Sequence, residues 1–175
     1  MLLAADQLAY QARALAQSDP FTPLARRSMD RAIDEERKAQ PGNFAIWATA
    51  AFTKGYCVRR VEEEDEGVTY VAAPADALPD LDALDAKTNE IMTALRSDDE
   101  AAEQALHEYL VSDEDRLLDV LDQVIGSEVR NRLENTSQTL TSPARAELED
   151  YITYWVVRGY ALRAAELATA ALVRA

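Results

Sequence analysis

A pattern of four residue types, Gly-Tyr-x-x-Arg-x-x-Glu, occurs twice in this chain, at residues 55–62 and again at residues 159–166. Arginine presents a planar fork of N–H donors that matches a carboxylate or a phosphate, and a nearby tyrosine hydroxyl can add a hydrogen bond. The repeated pattern therefore supplies the parts of a site for an anionic ligand. The side chains that would form this site are Tyr56, Arg59, Glu62, Tyr160, Arg163 and Glu166.

The surroundings of both copies indicate helices whose patterned residues face the protein core. Each residue of an α-helix advances about 100° around the axis, which places Gly55, Arg59 and Glu62 on the same face as the preceding apolar side chains. The second copy repeats this arrangement after Leu148, Ile152, Trp155 and Val156. The tyrosines fall at the edge of that face. A buried arginine requires a partner, because an unpaired buried charge is very unfavourable, and the glutamate three residues later is the candidate.

The glycines of the two copies predict a close contact between helices. Glycine inside a helix costs about 1 kcal/mol relative to alanine, so two helices that tolerate it at the same pattern position need a reason. Because glycine lacks a side chain, it allows the backbones of two helices to approach closely. We therefore expect the two helices to cross near Gly55 and Gly159, about a pseudo-twofold axis.

The charged residues of the pattern allow three interpretations. In the first, which we favour, Arg59 and Arg163 form a structural layer with Glu62 and Glu166 that sets the register of the two helices. In the second, the layer is a pocket that holds a carboxylate or a phosphate. In the third, one or both arginines extend along the protein and reach water.

Other chemically active side chains are too few to form a familiar catalytic or metal site. Cys57 is the single cysteine and cannot form an internal disulfide, so a small buried residue is the favoured interpretation. His107 is the only histidine, and with Glu103 it supplies neither the two Glu-x-x-His pairs of a di-iron bundle nor a catalytic triad. We therefore predict no cofactor, metal or catalytic residue, and favour a binding protein over an enzyme without excluding the latter.

The elements that position these residues are predicted to be helices. The chain has 32 alanines, 5 glycines and 6 prolines, and alanine is the strongest helix former. Periodicity and capping residues predict an all-α bundle of seven or eight helices, with no strand of consequence. The predicted segments are 2–17, 23–40, 44–66, a helix from about 81, 98–111, 113–125, 127–138 and 143–173. Thr22 is the predicted N-cap of the second helix, and Gly126 separates two helices. The last helix is expected to be the longest, and Gly159 is the position where a departure from it would fall.

The chain is expected to form a single domain, 1–175, with two related halves. Weak similarity between the segments before each copy of the pattern suggests helical hairpins at 23–66 and 127–174, separated by an acidic helical insert, 67–126. No apolar stretch approaches 18 residues, and the N-terminal sequence lacks the features of a signal peptide. A cytoplasmic location is therefore expected.

Charge is the feature that most constrains the partner. The formal net charge is −14, and residues 62–122 hold 20 acidic against 3 basic side chains, whereas the rest of the chain holds 12 against 15. Nucleic acids and anionic membrane surfaces attract positively charged proteins, so both are unfavourable partners. The five acids of the run VEEEDEG, residues 61–67, stand at a predicted helix end and are interpreted as a solvated terminus or a docking patch.

These observations favour a non-enzymatic helical-bundle protein whose acidic surface binds a basic protein partner. The competing hypothesis is a protein, or less favourably an enzyme, that binds a small anionic molecule in the Arg/Glu/Tyr layer. A third hypothesis is that the acidic segment mimics nucleic acid. The oligomeric state stays open, and a homodimer is one of its alternatives.

Overall fold

The computed structural model describes residues 3–18, 20–40, 44–65, 114–134 and 142–174, together with the single positions 86, 88, 89 and 92. Five α-helices make up this part of the chain: α1 (Ala5–Ala16), α2 (Pro23–Ala39), α3 (Phe44–Asp65), α4 (Glu114–Glu134) and α5 (Ser142–Arg174). No strand occurs within these ranges, so the predicted all-α bundle is confirmed for them.

The start of α2 follows the capping signal in the sequence. The Oγ1 atom of Thr22 accepts a hydrogen bond of 3.1 Å from the Ala25 amide, and Pro23 occupies the first turn. The Ala25 amide has no acceptor within the helix, and Thr22 supplies one. Pro23 has no amide proton, and a first-turn position does not need one. The predicted helix at 98–111 lies outside the described residues, and of the predicted helix from about 81 only positions 86, 88, 89 and 92 are described, all of them helical.

α4 is a single helix where the sequence predicted two, 113–125 and 127–138, and that prediction is wrong. The expected separator, Gly126, lies exposed in the middle of α4, and a Cβ added there would meet nothing within 4 Å. Its backbone penalty of about 1 kcal/mol is offset by buried apolar neighbours, each worth about 1.5–3 kcal/mol. These neighbours are Val124, Ile125 and Val129. Tertiary burial overrides the stop signal and makes one helix of the two predicted there, so five helices lie in the described ranges and the predicted helices from about 81 and at 98–111 fall mostly outside them.

α5 is the longest of the described helices, as predicted, and it continues through Gly159 without a break. The helix has 33 residues, which corresponds to about 50 Å at 1.5 Å per residue. Gly159 is buried, and the backbone of α3 lies directly against it. Contact with a second helix therefore holds the glycine in helical conformation.

α3 and α5 form the centre of the bundle and run in the same direction. Near their starts, the rings of Phe44 and Tyr151 lie 5.4 Å apart, and near the end of α3 Glu63 forms an ion pair with Arg163. The contacting residue numbers increase together along α3 and α5, so the two helices are parallel. α1, α2 and α4 pack around α3, and α2 and α4 also contact α5.

The middle turns of the two central helices are buried on nearly every face. Within residues 152–164 of α5 only Tyr154 is partly exposed, and within residues 51–63 of α3 only three positions are partly exposed. The predicted single apolar stripe is thus too narrow a description of either helix. None of the described helices carries an apolar stretch long enough to cross a membrane. The relation between the hairpins at 23–66 and 127–174 stays a prediction.

Candidate functional site at the crossing of α3 and α5

The glycines of the repeated pattern lie where the backbones of α3 and α5 touch. A Cβ added to Gly55 would lie 1.7 Å from the carbonyl oxygen of Val156, and one added to Gly159 would lie 2.0 Å from the carbonyl oxygen of Phe52. Each glycine faces the carbonyl three residues before the other, so the contact is reciprocal. The predicted close crossing at the two glycines is confirmed, and any larger residue would separate the helices.

The arginine of each helix engages the tyrosine of the other helix. Nη1 of Arg59 donates a hydrogen bond of 3.1 Å to the Tyr160 hydroxyl, and Nη1 of Arg163 donates one of 3.3 Å to the Tyr56 hydroxyl. The two guanidinium carbons lie 5.5 Å and 5.6 Å from the centroids of those same rings. Both tyrosines are fully buried, whereas the helical pattern placed them at the edge of the core face. They belong to the layer as fully as the arginines do.

The carboxylates break this reciprocity, because both described ones come from α3. The Tyr160 hydroxyl donates a hydrogen bond of 2.6 Å to Oε1 of Glu62, which also lies 3.5 Å from Nη1 of Arg59. Arg163 binds Glu63 through two atoms, with Nε 3.1 Å from Oε1 and Nη2 2.9 Å from Oε2. The side chain of Glu166, the predicted fourth member, lies outside the described residues.

Glu63 is the member of this site that the sequence analysis missed. It falls within the run at 61–67, which was interpreted as a solvated terminus or a docking patch, and no local signal separates it from its acidic neighbours. In the folded chain Glu62 and Glu63 are buried, and Asp65 binds Nη1 of Arg116 at 2.8 Å. The interpretation of the run as a free acidic patch is therefore wrong for Glu63 and Asp65, whereas Glu62 is buried on the core-facing side where the repeated pattern placed it.

We refer to the residues of this crossing as the Arg–Tyr layer: Tyr56, Arg59, Glu62, Glu63, Tyr160 and Arg163. Its four charged side chains are each at most 7% exposed, and two positive charges meet two negative ones. Burial raises the pKa of Glu63, and the adjacent Arg163 opposes this shift. Burial and the neighbouring Glu62 raise the pKa of Tyr160 well above its usual value, so its hydroxyl stays protonated and donates. These side chains form one buried, hydrogen-bonded layer across the crossing of α3 and α5.

Cys57, next to this layer, is a buried structural residue. Burial raises the pKa of its thiol to about 12, although Arg60 opposes the shift. A thiol that stays protonated at neutral pH is a poor nucleophile and a poor metal ligand. Among the described residues no group of three or more His, Cys, Asp or Glu side chains is arranged to hold a metal ion. His107 and Glu103 lie outside those residues.

A second polar region, which the sequence analysis did not identify, lies on the other side of Gly55. α1, α3 and α4 enclose a cleft of about 630 Å³, and we call it the cationic cleft. Its polar lining consists of Tyr10, Arg13, Gln17, Thr53, Lys54 and Asn131. These residues are separated by up to 121 positions in the chain, and no shared motif connects them. Only the packing of three helices brings them together.

Neither protein-family models nor curated proteins nor solved structures match this chain. The functional proposal therefore rests on the geometry and the charge of the chain itself.

Proposed function

We propose that this protein is a non-enzymatic, cytoplasmic binding protein whose acidic surface binds a basic protein partner. The acidic excess of residues 62–122 supports this proposal, since 20 acidic side chains stand there against 3 basic ones. A surface with one dominant sign of charge steers an oppositely charged partner toward it and disfavours partners of the same sign.

The observation that carries the proposal is a group of carboxylates on neighbouring turns of α4 and α5. Asp119 and Asp122 on α4 and Glu149 on α5 are all exposed. Partial burial, followed by repulsion from Asp119 and Glu149, raises the pKa of Asp122. Carboxylates that repel one another would be relieved by a lysine or an arginine of a partner, so a basic surface fits here.

The Arg–Tyr layer supports a binding protein over an enzyme. Its arginines are already held by Glu62 and Glu63, and its tyrosine hydroxyls are engaged in the same network. A ligand for these guanidiniums would have to displace buried ion pairs before it could bind. The layer as a site for a small anion stays the second candidate function, with the repeated arginines as its support.

The experiment for the proposed function is a binding titration with a fluorescent lysine-rich peptide. The triple variant Asp119→Asn/Asp122→Asn/Glu149→Gln should bind it several-fold more weakly than the wild-type protein, and raising the salt concentration should weaken wild-type binding steeply. A matched control is Asp30→Asn/Asp34→Asn/Glu35→Gln, which removes three exposed carboxylates from α2.

The two triple variants have the same net charge, but only the variant on α4 and α5 should bind the peptide more weakly than the wild-type protein. Equal binding by both variants would show that only overall charge matters and would reject a surface on α4 and α5. Binding that does not change with ionic strength would reject the electrostatic mechanism altogether.

A further inference from the structure

The cationic cleft has the size and the lining of a small-molecule site. Its volume of about 630 Å³ lies within the range of ligand pockets, which is roughly 300–1,000 Å³. Alanine side chains from α1 and α3 supply apolar surface, while Arg13, Gln17, Lys54 and Asn131 supply polar groups that converge from three helices. A mainly apolar wall with a few directed polar groups is the usual composition of a binding pocket.

The charge of the cleft is opposite to that of the protein as a whole. Next to the cleft, the fully buried carboxylate of Glu128 contacts the Lys54 ammonium group and lies 3.5 Å from Nη2 of Arg132. Arg13 faces the cleft from α1, and within the described ranges its guanidinium forms neither a hydrogen bond nor an ion pair. Arg13 and Lys54 therefore line the cleft, and Arg132 lies beside the Glu128 carboxylate next to it, in a chain whose net charge is −14.

The pKa of Lys54 reflects its burial and the neighbouring cations. Burial lowers the pKa of its amine to about 8, and repulsion from the guanidiniums of Arg132 and Arg13 adds to the effect. The Glu128 carboxylate, in contact with the amine, favours the charged form, so Lys54 is a cation at neutral pH. An incoming anion would relieve the repulsion among the three cations.

We propose that the cationic cleft binds a small organic phosphate, with the phosphate group between Arg13 and Lys54. Arg13 and Lys54 line the cleft from different helices, and a phosphate monoester, with about 1.5–2 negative charges at pH 7, offers charge and oxygen atoms to both. Arginine offers a bidentate fork to phosphate oxygens and lysine offers a point charge. This site is separate from the acidic surface on α4 and α5.

The rim of the cleft indicates what the rest of the ligand looks like. The ring of Tyr10 lines the cleft and is 68% exposed, one of two large apolar side chains with high exposure in the described part of the chain. An exposed aromatic ring beside a phosphate site can stack on a planar group. The ligand class is therefore a phosphate monoester with a planar body, for which adenosine monophosphate is a suitable probe.

The experiment is isothermal titration calorimetry at low salt with adenosine monophosphate, inorganic phosphate and uncharged adenosine. Adenosine monophosphate should bind more tightly than inorganic phosphate, because it also reaches Tyr10, and adenosine should bind most weakly. Adenosine binding as tightly as its monophosphate would overturn the proposal, and so would the absence of binding by both phosphates.

Variants locate the site without disturbing the fold. Arg13→Gln should weaken the binding of adenosine monophosphate by about tenfold or more, the effect of losing a charge-assisted hydrogen bond. The matched control, Arg31→Gln, removes an exposed arginine from α2 and should change the affinity by less than about twofold. Equal weakening by both variants would show binding to overall charge rather than to the cleft, and would reject the site.

Discussion

The two polar regions on either side of Gly55 contain similar residue types and have opposite properties. Tyr56 points into the Arg–Tyr layer, where two arginines meet two glutamates and every charged side chain is nearly enclosed. Lys54 and Arg13 line the cationic cleft, where Lys54 contacts the Glu128 carboxylate and is repelled by Arg132 and Arg13. Balanced buried charges hold helices in register, whereas a surplus at an accessible cleft is free to attract a ligand. The balance of charge, more than the presence of arginine, distinguishes a structural layer from a binding site.

The largest difference between the two regions should appear when each loses an arginine. Arg163→Met should lower the free energy of unfolding by about 3–5 kcal/mol, because Glu63 would stay buried without its bidentate partner. Arg13→Met, a matched change in the cleft, should alter it by less than about 0.5 kcal/mol. Urea denaturation measures both values. A variant Arg163→Met more stable than the wild type would mean that the layer holds repelling cations and is a ligand site.

The next effect tests the contact that carries the Arg–Tyr layer. Gly55→Ala and Gly159→Ala should each lower the free energy of unfolding by about 3 kcal/mol, since the new methyl group meets backbone oxygen at 1.7 Å or 2.0 Å. Gly126→Ala is the control, because its methyl group meets nothing within 4 Å. That variant should be more stable by about 0.5–1 kcal/mol. If all three variants were equally stable, α3 and α5 would not touch at these glycines.

A smaller effect is expected from the buried ion pair beside the cationic cleft. Lys54→Met should lower the free energy of unfolding by about 1–3 kcal/mol, because Glu128 would lose a partner and stay fully buried. Lys54→Met/Glu128→Gln removes both charges and should recover part of that loss. A double-mutant cycle measures the coupling. A double variant less stable than Lys54→Met would show that the Glu128 carboxylate is stabilised by other groups.

The smallest effect concerns the protonation of Lys54. Its pKa of about 8 lies below the ordinary 10.5, so between these values the unfolded chain binds more protons and this group makes stability rise with pH. Arg13→Gln removes one repelling cation and should raise the titration midpoint by about 0.3 pH unit. Carbon NMR of the lysine Cε signal measures the midpoint. A wild-type midpoint above 10 would mean that attraction by Glu128 outweighs burial and repulsion.

Local signals in the sequence predicted the features that depend on a single helix or on one repeated pattern. Alanine content and periodicity predicted helices, and Thr22 with Pro23 predicted the start of α2. Gly55 and Gly159, at matching positions on core-facing helix surfaces, predicted the crossing of α3 and α5. Glycine is unfavourable inside a helix unless another backbone approaches it, so its position alone carried tertiary information.

Tertiary structure decided which groups meet across that crossing. Arg163 is bound by Glu63, whose neighbours in sequence suggested a solvated helix end. Gly126 stands inside α4 because burial on both sides outweighs its backbone penalty. Helical periodicity gives the face of each residue on its own helix. It does not give the orientation of that face toward a neighbouring helix, which depends on how all five described helices share the core.

The cationic cleft shows the same limit most clearly. Its charged residues come from separate helices, and no pattern in the sequence singled out Arg13, Lys54 or Glu128. The sequence determined the helices, the glycine crossing and the overall acidity of the chain, because these properties are local or additive along it. Only the packing of α1, α3 and α4 decided that cations gather at one cleft, because charges far apart in the chain interact only after folding brings them within a few ångströms.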